Sequence, residues 1–174
     1  MTTYVALLRG INVGGRHKVA MADLKALLAE AGGENVSTYI QSGNAVLTHP
    51  ARSPDKLAAD LGRRIEAMTG FPVAVIVRTA AAMAAVVRKN PFPGREASLH
   101  VTFLSDDPPP GALDAVDAEA FLPEEFALVE REIYLHLPNG MARTKLPQAL
   151  DVFATPVTTR NWRTVDKLAE MAGG

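Results

Sequence analysis

The chain has 174 residues, 48% of them hydrophobic and 21% charged, with a formal net charge of −1. That balance describes one medium or two small folded domains, and it excludes both a disordered tail and a globally basic nucleic-acid binder. It contains no cysteine, so disulfides, thiolate nucleophiles and zinc–thiolate sites are excluded as well.

The first apolar run, Tyr4 to Leu8, reads as a central strand that ends at Arg9 and Gly10. It is too short for a signal peptide, and no later segment reaches the length of a membrane span; a cytoplasmic protein with no membrane partner is expected. Arg9 to Lys18 is a glycine-broken, purely basic loop. Gly14 and Gly15 free the backbone for positive φ, and Asn12 tolerates the same region. The helix that follows carries Leu24, Leu27, Leu28 and Ala31 at i, i+3, i+4 and i+7, so its unpaired first-turn N–H groups face the loop. The spacing matches neither G-x-G-x-x-G nor a P-loop.

Val36 to Ile40 and Ala45 to His49 are expected strands joined by Gln41-Ser42-Gly43-Asn44. Ser53-Pro54 opens a helix whose buried stripe is Leu57, Leu61, Ile65 and Met68, stopped by Gly70. Phe71 to Arg78 reads as a strand. From Ala80 a connector helix puts Met83, Val86 and Val87 inward and ends before Asn90-Pro91. Leu99 to Leu104 is a strand, and a short helix is expected around Leu113 and Val116. Phe126 to Val129 and Ile133 to Leu137 form a hairpin. Lys145 to Phe153 reads as a helix, Thr155 to Thr159 as a strand, and Trp162 to Ala169 as the last helix.

Both halves therefore read βαββαβ. The expected fold is α+β: two ferredoxin-like α-β plaits in tandem, with extra helices between them and at the C-terminus. The domains would be residues 1–80 and residues 81–174, the latter including the connector and the last helix. Charge follows the division, with nine basic against six acidic residues in 1–80 and nine against thirteen in 81–174. Most of the excess acid lies between Asp106 and Glu132, a solvated face.

An antiparallel plait places the end of its first strand beside the turn between its second and third strands. Arg9 to Lys18 thus becomes a neighbour of Gln41 to Asn44. In the second half the same logic puts Asn139 to Lys145 beside Thr158 to Arg163. Both clusters are rich in donors and poor in carboxylates. If they face each other, they make a cationic interdomain cleft. The expected ligand-binding residues are Arg9, Asn12, Gly14, Gly15, Lys18, Gln41, Ser42, Asn44, Lys145, Thr159, Arg160 and Asn161. Several of these residues and their neighbours also have plainer roles open to them. Arg9 can pair with a carboxylate, Gly43 and Asn44 can serve the turn, Asn161 can cap a helix, and Trp162 can be core.

Several segments together resemble the bacterial family called domain of unknown function 1697. They are Tyr4 to Gly15 with Met21 and Leu24, Thr38 to Asn44, Lys145-Leu146, and Thr158 to Val165 with Lys167-Leu168. The resemblance implies a pair of ferredoxin-like units and names no activity. Three functions stay open: binding of a phosphorylated small molecule or nucleotide, single-stranded nucleic-acid binding, and a structural or protein-interaction module. Nucleic acid ranks second, because only 6% of the residues are aromatic and no RNP-like run exists. No carboxylate pair stands ready to hold magnesium, His17, His49, His100 and His136 are scattered, and no cofactor or catalytic residue is assigned.

Overall fold

The computed structural model describes residues 1–173, which form two compact units. One comprises Met1–Ala85 joined by the C-terminal segment from Lys167, and the other is Val86–Asp166. The sequence expectation divided the chain at residue 80 and gave the whole last helix to the second half.

In the first unit, β1 (Thr2–Leu8), β2 (Glu34–Tyr39), β3 (Asn44–His49) and β4 (Val75–Thr79) form an antiparallel sheet in the order β2-β3-β1-β4. Alternation along β1 sends Tyr4, Ala6 and Leu8 into one core with Leu24 and Leu28 of α1 (Met21–Glu30). Leu57, Leu61 and Ile65 of α2 (Pro54–Thr69) complete it, while Met68, expected in the same stripe, is 42% exposed. The signals that bound α2 act as expected. Ser53 Oγ accepts the Lys56 N–H at 3.2 Å, Pro54 opens the first turn, and Gly70 closes the helix at φ +83°.

In the second unit, β5 (Leu99–Leu104), β6 (Glu125–Val129), β7 (Glu132–His136) and β8 (Val157–Asn161) form another antiparallel sheet, ordered β6-β7-β5-β8. The fold is α+β with five α-helices among the described residues: α1, α2, the connector α3 (Ala80–Arg88), α4 (Leu146–Ala149) and α5 (Trp162–Met171).

The second unit departs from the sequence expectation in its helices. Around Leu113 the chain makes consecutive tight turns, Ala112 N–H to Pro109 O, Asp114 N–H to Gly111 O and Val116 N–H to Leu113 O, where an α-helix was expected. Three prolines and Gly111, at φ +70°, hold the segment out of helical register. The helix expected over 145–153 is the four-residue α4. Past Leu150 come Asp151, Val152 and Phe153, weak helix formers, and the chain tightens out of the α-helical pattern: Asp151 N–H bonds Gln148 O at 3.2 Å and Val152 N–H bonds Leu150 O at 2.9 Å. Leu146 and Leu150 nevertheless pack with Leu104, Ile133 and Leu135, so short segments cover this sheet in place of long helices. The strand expected from Phe71 begins only at Val75.

Candidate functional site

Strand pairing fixes the base of the first cluster. Leu8 donates its N–H to Gly43 O at 2.8 Å and Arg9 donates to Ala74 O at 3.0 Å. Beyond Arg9 the chain leaves the sheet as a small hairpin: Asn12 N–H bonds His17 O at 3.1 Å and Arg16 N–H bonds Val13 O at 3.0 Å. Gly14 and Gly15, at φ +59° and +73°, take the two central positions with the signs of a type I′ turn. A Cβ on either would meet nothing within 4 Å. The glycines are thus required by dihedral angle alone, and space over the loop is open.

Asn12 is the fastener of this loop. At φ +54°, its Nδ2 donates to Val19 O at 2.9 Å and to Gln41 O at 2.8 Å, while its Oδ1 accepts the Val19 N–H at 2.8 Å. The amide therefore ties the basic loop to the β2–β3 turn and is spent on backbone. Asn44 behaves alike: it is fully buried, and its Nδ2 donates to Tyr39 O and to Ser42 Oγ, both at 3.0 Å. Gly43 lies at φ +94°, with Leu8 Cβ and Ile11 Cδ1 2.8 Å from where a Cβ would stand. The turn carries a strained residue beside it, Ile40 at φ +49° and 51% exposed.

Of the expected binding residues in this unit, Arg9, Gly14, Gly15, Lys18 and Gln41 are exposed. Together with Arg16, also exposed, Arg9 and Lys18 have no carboxylate within ion-pair distance among the described residues. The loop runs into α1 through Ala20, which offers no side-chain cap; the carboxylate in that helix's first turn is Asp23. His17 stacks on Phe71, ring centroids 4.4 Å apart and 24° from parallel, adding an aromatic surface to the basic loop that sequence reading did not single out. The groove between α1 and α2, about 430 Å³, is a poorer anion site. Asp23 and Glu30 line it, and its Arg64 is already paired with Asp60 at 2.9 Å.

In the second unit, the end of β7 and the end of β8 flank the start of β5: His136 pairs with Leu99 and Asn161 with His100. The loop to α4 and the β8–α5 junction therefore leave the same end of the sheet, as the topology implied. Lys145 and Arg143 are exposed on that loop. The strand register of β8 splits the Thr159-Arg160-Asn161 segment. Thr159 bonds Thr102 across the sheet, Oγ1 to Oγ1 at 2.8 Å, while Arg160 takes the other face, its Nη1 donating to Thr158 Oγ1 at 2.7 Å and Thr159 O at 3.0 Å. Arg160 is 8% exposed, and burial pulls its pKa down to about 10, so it is charged at neutral pH. Asn161 Oδ1 accepts the Thr164 N–H at 2.9 Å and caps α5, and Trp162 is 9% exposed.

Two of the three strand tyrosines are withdrawn from any single-strand guest: Tyr4 and Tyr134 are buried, with hydroxyls donated to Ala51 O and Val86 O, while Tyr39 is half-buried on β2. Among the described residues no group of three or more metal-ligating side chains sits together, and no helix is long and apolar enough to cross a membrane.

Two antiparallel four-stranded sheets with exposed basic loops at strand ends define a two-unit α+β protein. The family model "Protein of unknown function (DUF1697)" matches residues 1–134, and the chain belongs to that family. Its fold is similar to that of a conserved bacterial protein, SP0830 from Streptococcus pneumoniae, at a TM-score of 0.69 and 23% identity, with 98% of each chain covered. No curated protein matches the chain.

Proposed function

We propose that the protein binds a phosphorylated small molecule or nucleotide, with the anion held over the 9–18 loop by Arg9, Arg16 and Lys18. The observation that carries this reading is three exposed cations without a carboxylate partner among the described residues, set around an open glycine turn. Charges that no carboxylate among the described residues pairs are available to a guest, and the uncapped start of α1 adds N–H groups of the same sign. The His17–Phe71 stack favours a guest with a planar ring, a nucleotide over bare phosphate. Each unit we read as a ferredoxin-like plait on its 2-3-1-4 strand order, the first also on its βαββαβ element order.

Thermal-shift screening of nucleotides and phosphate metabolites tests the proposal, with Arg9→Ala and Lys145→Ala run in parallel. A ligand at 100 times its Kd raises stability by roughly 2.7 kcal/mol. The reading expects a nucleotide hit that Arg9→Ala abolishes and Lys145→Ala leaves in place. Hits unaffected by Arg9→Ala contradict it. Oligonucleotides that bind with steep salt dependence while mononucleotides do not would favour the single-strand reading.

A further inference from the structure

We propose that the second unit carries an oxyanion-binding site of its own, formed by His100, Thr102, Thr159 and Asn161 on one face of its sheet. The register β5 to β8 pairs His100 with Asn161 and Thr102 with Thr159, so the four side chains form a square, neighbours standing about 5 Å apart across the strands. The rest of this face is apolar: Leu104, Ile133, Leu135 and Val157 belong to the core that Leu146 and Leu150 cover. The cap at Asn161 and the Thr102–Thr159 pair account for part of this polar edge, but neither uses its full donor capacity, and His100 has no partner among them.

The hydrogen-bond inventory shows what the square offers. The two threonine hydroxyls bond each other at 2.8 Å; one donates and one accepts, which leaves one O–H to give away. Asn161 uses its Oδ1 on the α5 cap and keeps both Nδ2 hydrogens. His100 Nδ1 is shut from solvent and meets no partner. Burial also lowers the pKa of this imidazole, so the ring is neutral at pH 7. A buried N–H without an acceptor is the costlier orphan, so the proton belongs on Nε2 and the ring acts as a donor.

Three kinds of donor thus converge, and no strand residue on this face is a carboxylate. A donor array without an internal carboxylate is complementary to a phosphate or carboxylate oxygen cluster. Arg143 and Lys145 lie on the loop that leads into Leu146, which packs on this same face. Neither has a carboxylate within ion-pair distance among the described residues.

The site stands apart from the 9–18 loop reading, and the experiment separates them. Imidazole resonances of the full chain are followed by ¹H–¹⁵N NMR during titration with inorganic phosphate, and in a second arm with acetate. The His100 signals are expected to move saturably with at least one of the two, and which one moves them names the guest as phosphate-like or carboxylate-like. The movement should persist in Arg9→Ala and disappear in Thr159→Val. Lys145→Gln, at an exposed position, should weaken it several-fold and guards against a Thr159→Val chain that does not fold. His100 signals that stay still in both arms, or that move only in proportion to ionic strength, overturn the proposal, as does a response lost with Arg9→Ala.

Discussion

Replacing Asn12 by aspartate tests how the basic loop is held. The change is isosteric and tolerates the same positive φ, so it alters chemistry alone. Oδ1 keeps the Val19 N–H, but a carboxylate oxygen now replaces the Nδ2 that faces Val19 O and Gln41 O at 2.9 and 2.8 Å. Two hydrogen bonds are lost at about 1 kcal/mol each. Negative charge against two carbonyl oxygens at a half-exposed site adds on the order of 1 kcal/mol. The sum, about 2–3 kcal/mol, corresponds to a fall in Tm of roughly 5–10 °C for a chain of this size. Thermal and urea unfolding followed by circular dichroism at pH 7 would measure it. Nucleotide affinity should drop as well, although every cation remains, because loop and β2–β3 turn are no longer tied. A cost below about 0.5 kcal/mol would refute the reasoning, since two well-formed bonds cannot be worth so little unless the loop is held by something else.

The glycines separate strain from crowding. Gly43→Ala meets Leu8 and Ile11 at 2.8 Å and should cost more than about 2 kcal/mol in urea titrations, whereas Gly14→Ala, with open space at its Cβ, should cost only about 1 kcal/mol of dihedral strain. His100 gives a pH dependence of defined sign: its folded pKa lies below the unfolded 6.5, so on acidification the unfolded chain takes up the proton first. Its contribution is intact above pH 6.5 and is lost as pH falls toward the folded pKa, so His100→Gln should narrow the Tm difference between pH 7.5 and pH 5.5. Lys89→Ala breaks the 2.6 Å pair with Glu130, whose partners are 45% and 65% exposed; unfolding midpoints should shift by less than about 1 kcal/mol.

Local signals in the sequence were read correctly where chemistry within a few residues decides structure. The Ser53-Pro54 start and Gly70 stop of α2, the cap at Asn161 and the core stripe of α1 are of this kind. Reading failed where the deciding partner is remote. Asn12 was legible as a residue tolerant of positive φ, but its fastening role needs Gln41, twenty-nine positions away. Thr159, Arg160 and Asn161 read as one presenting segment. The strand runs on to Asn161, so the pleat sends Arg160 to the opposite face. His100 looked like an isolated strand histidine until the register set Thr102, Thr159 and Asn161 around it. Helices were over-read in the second unit because an apolar periodicity such as Leu113 and Val116 suits consecutive tight turns as well as a helix.

The most direct test of the anion-loop reading is a ¹H–¹⁵N backbone titration of the full chain with a nucleoside monophosphate at low salt. Saturable shifts centred on the amides of Gly10, Gly14, Gly15 and Arg16, erased by Arg9→Ala and by raised salt, are the predicted result. Saturation of the nucleotide with those four amides unmoved would contradict it.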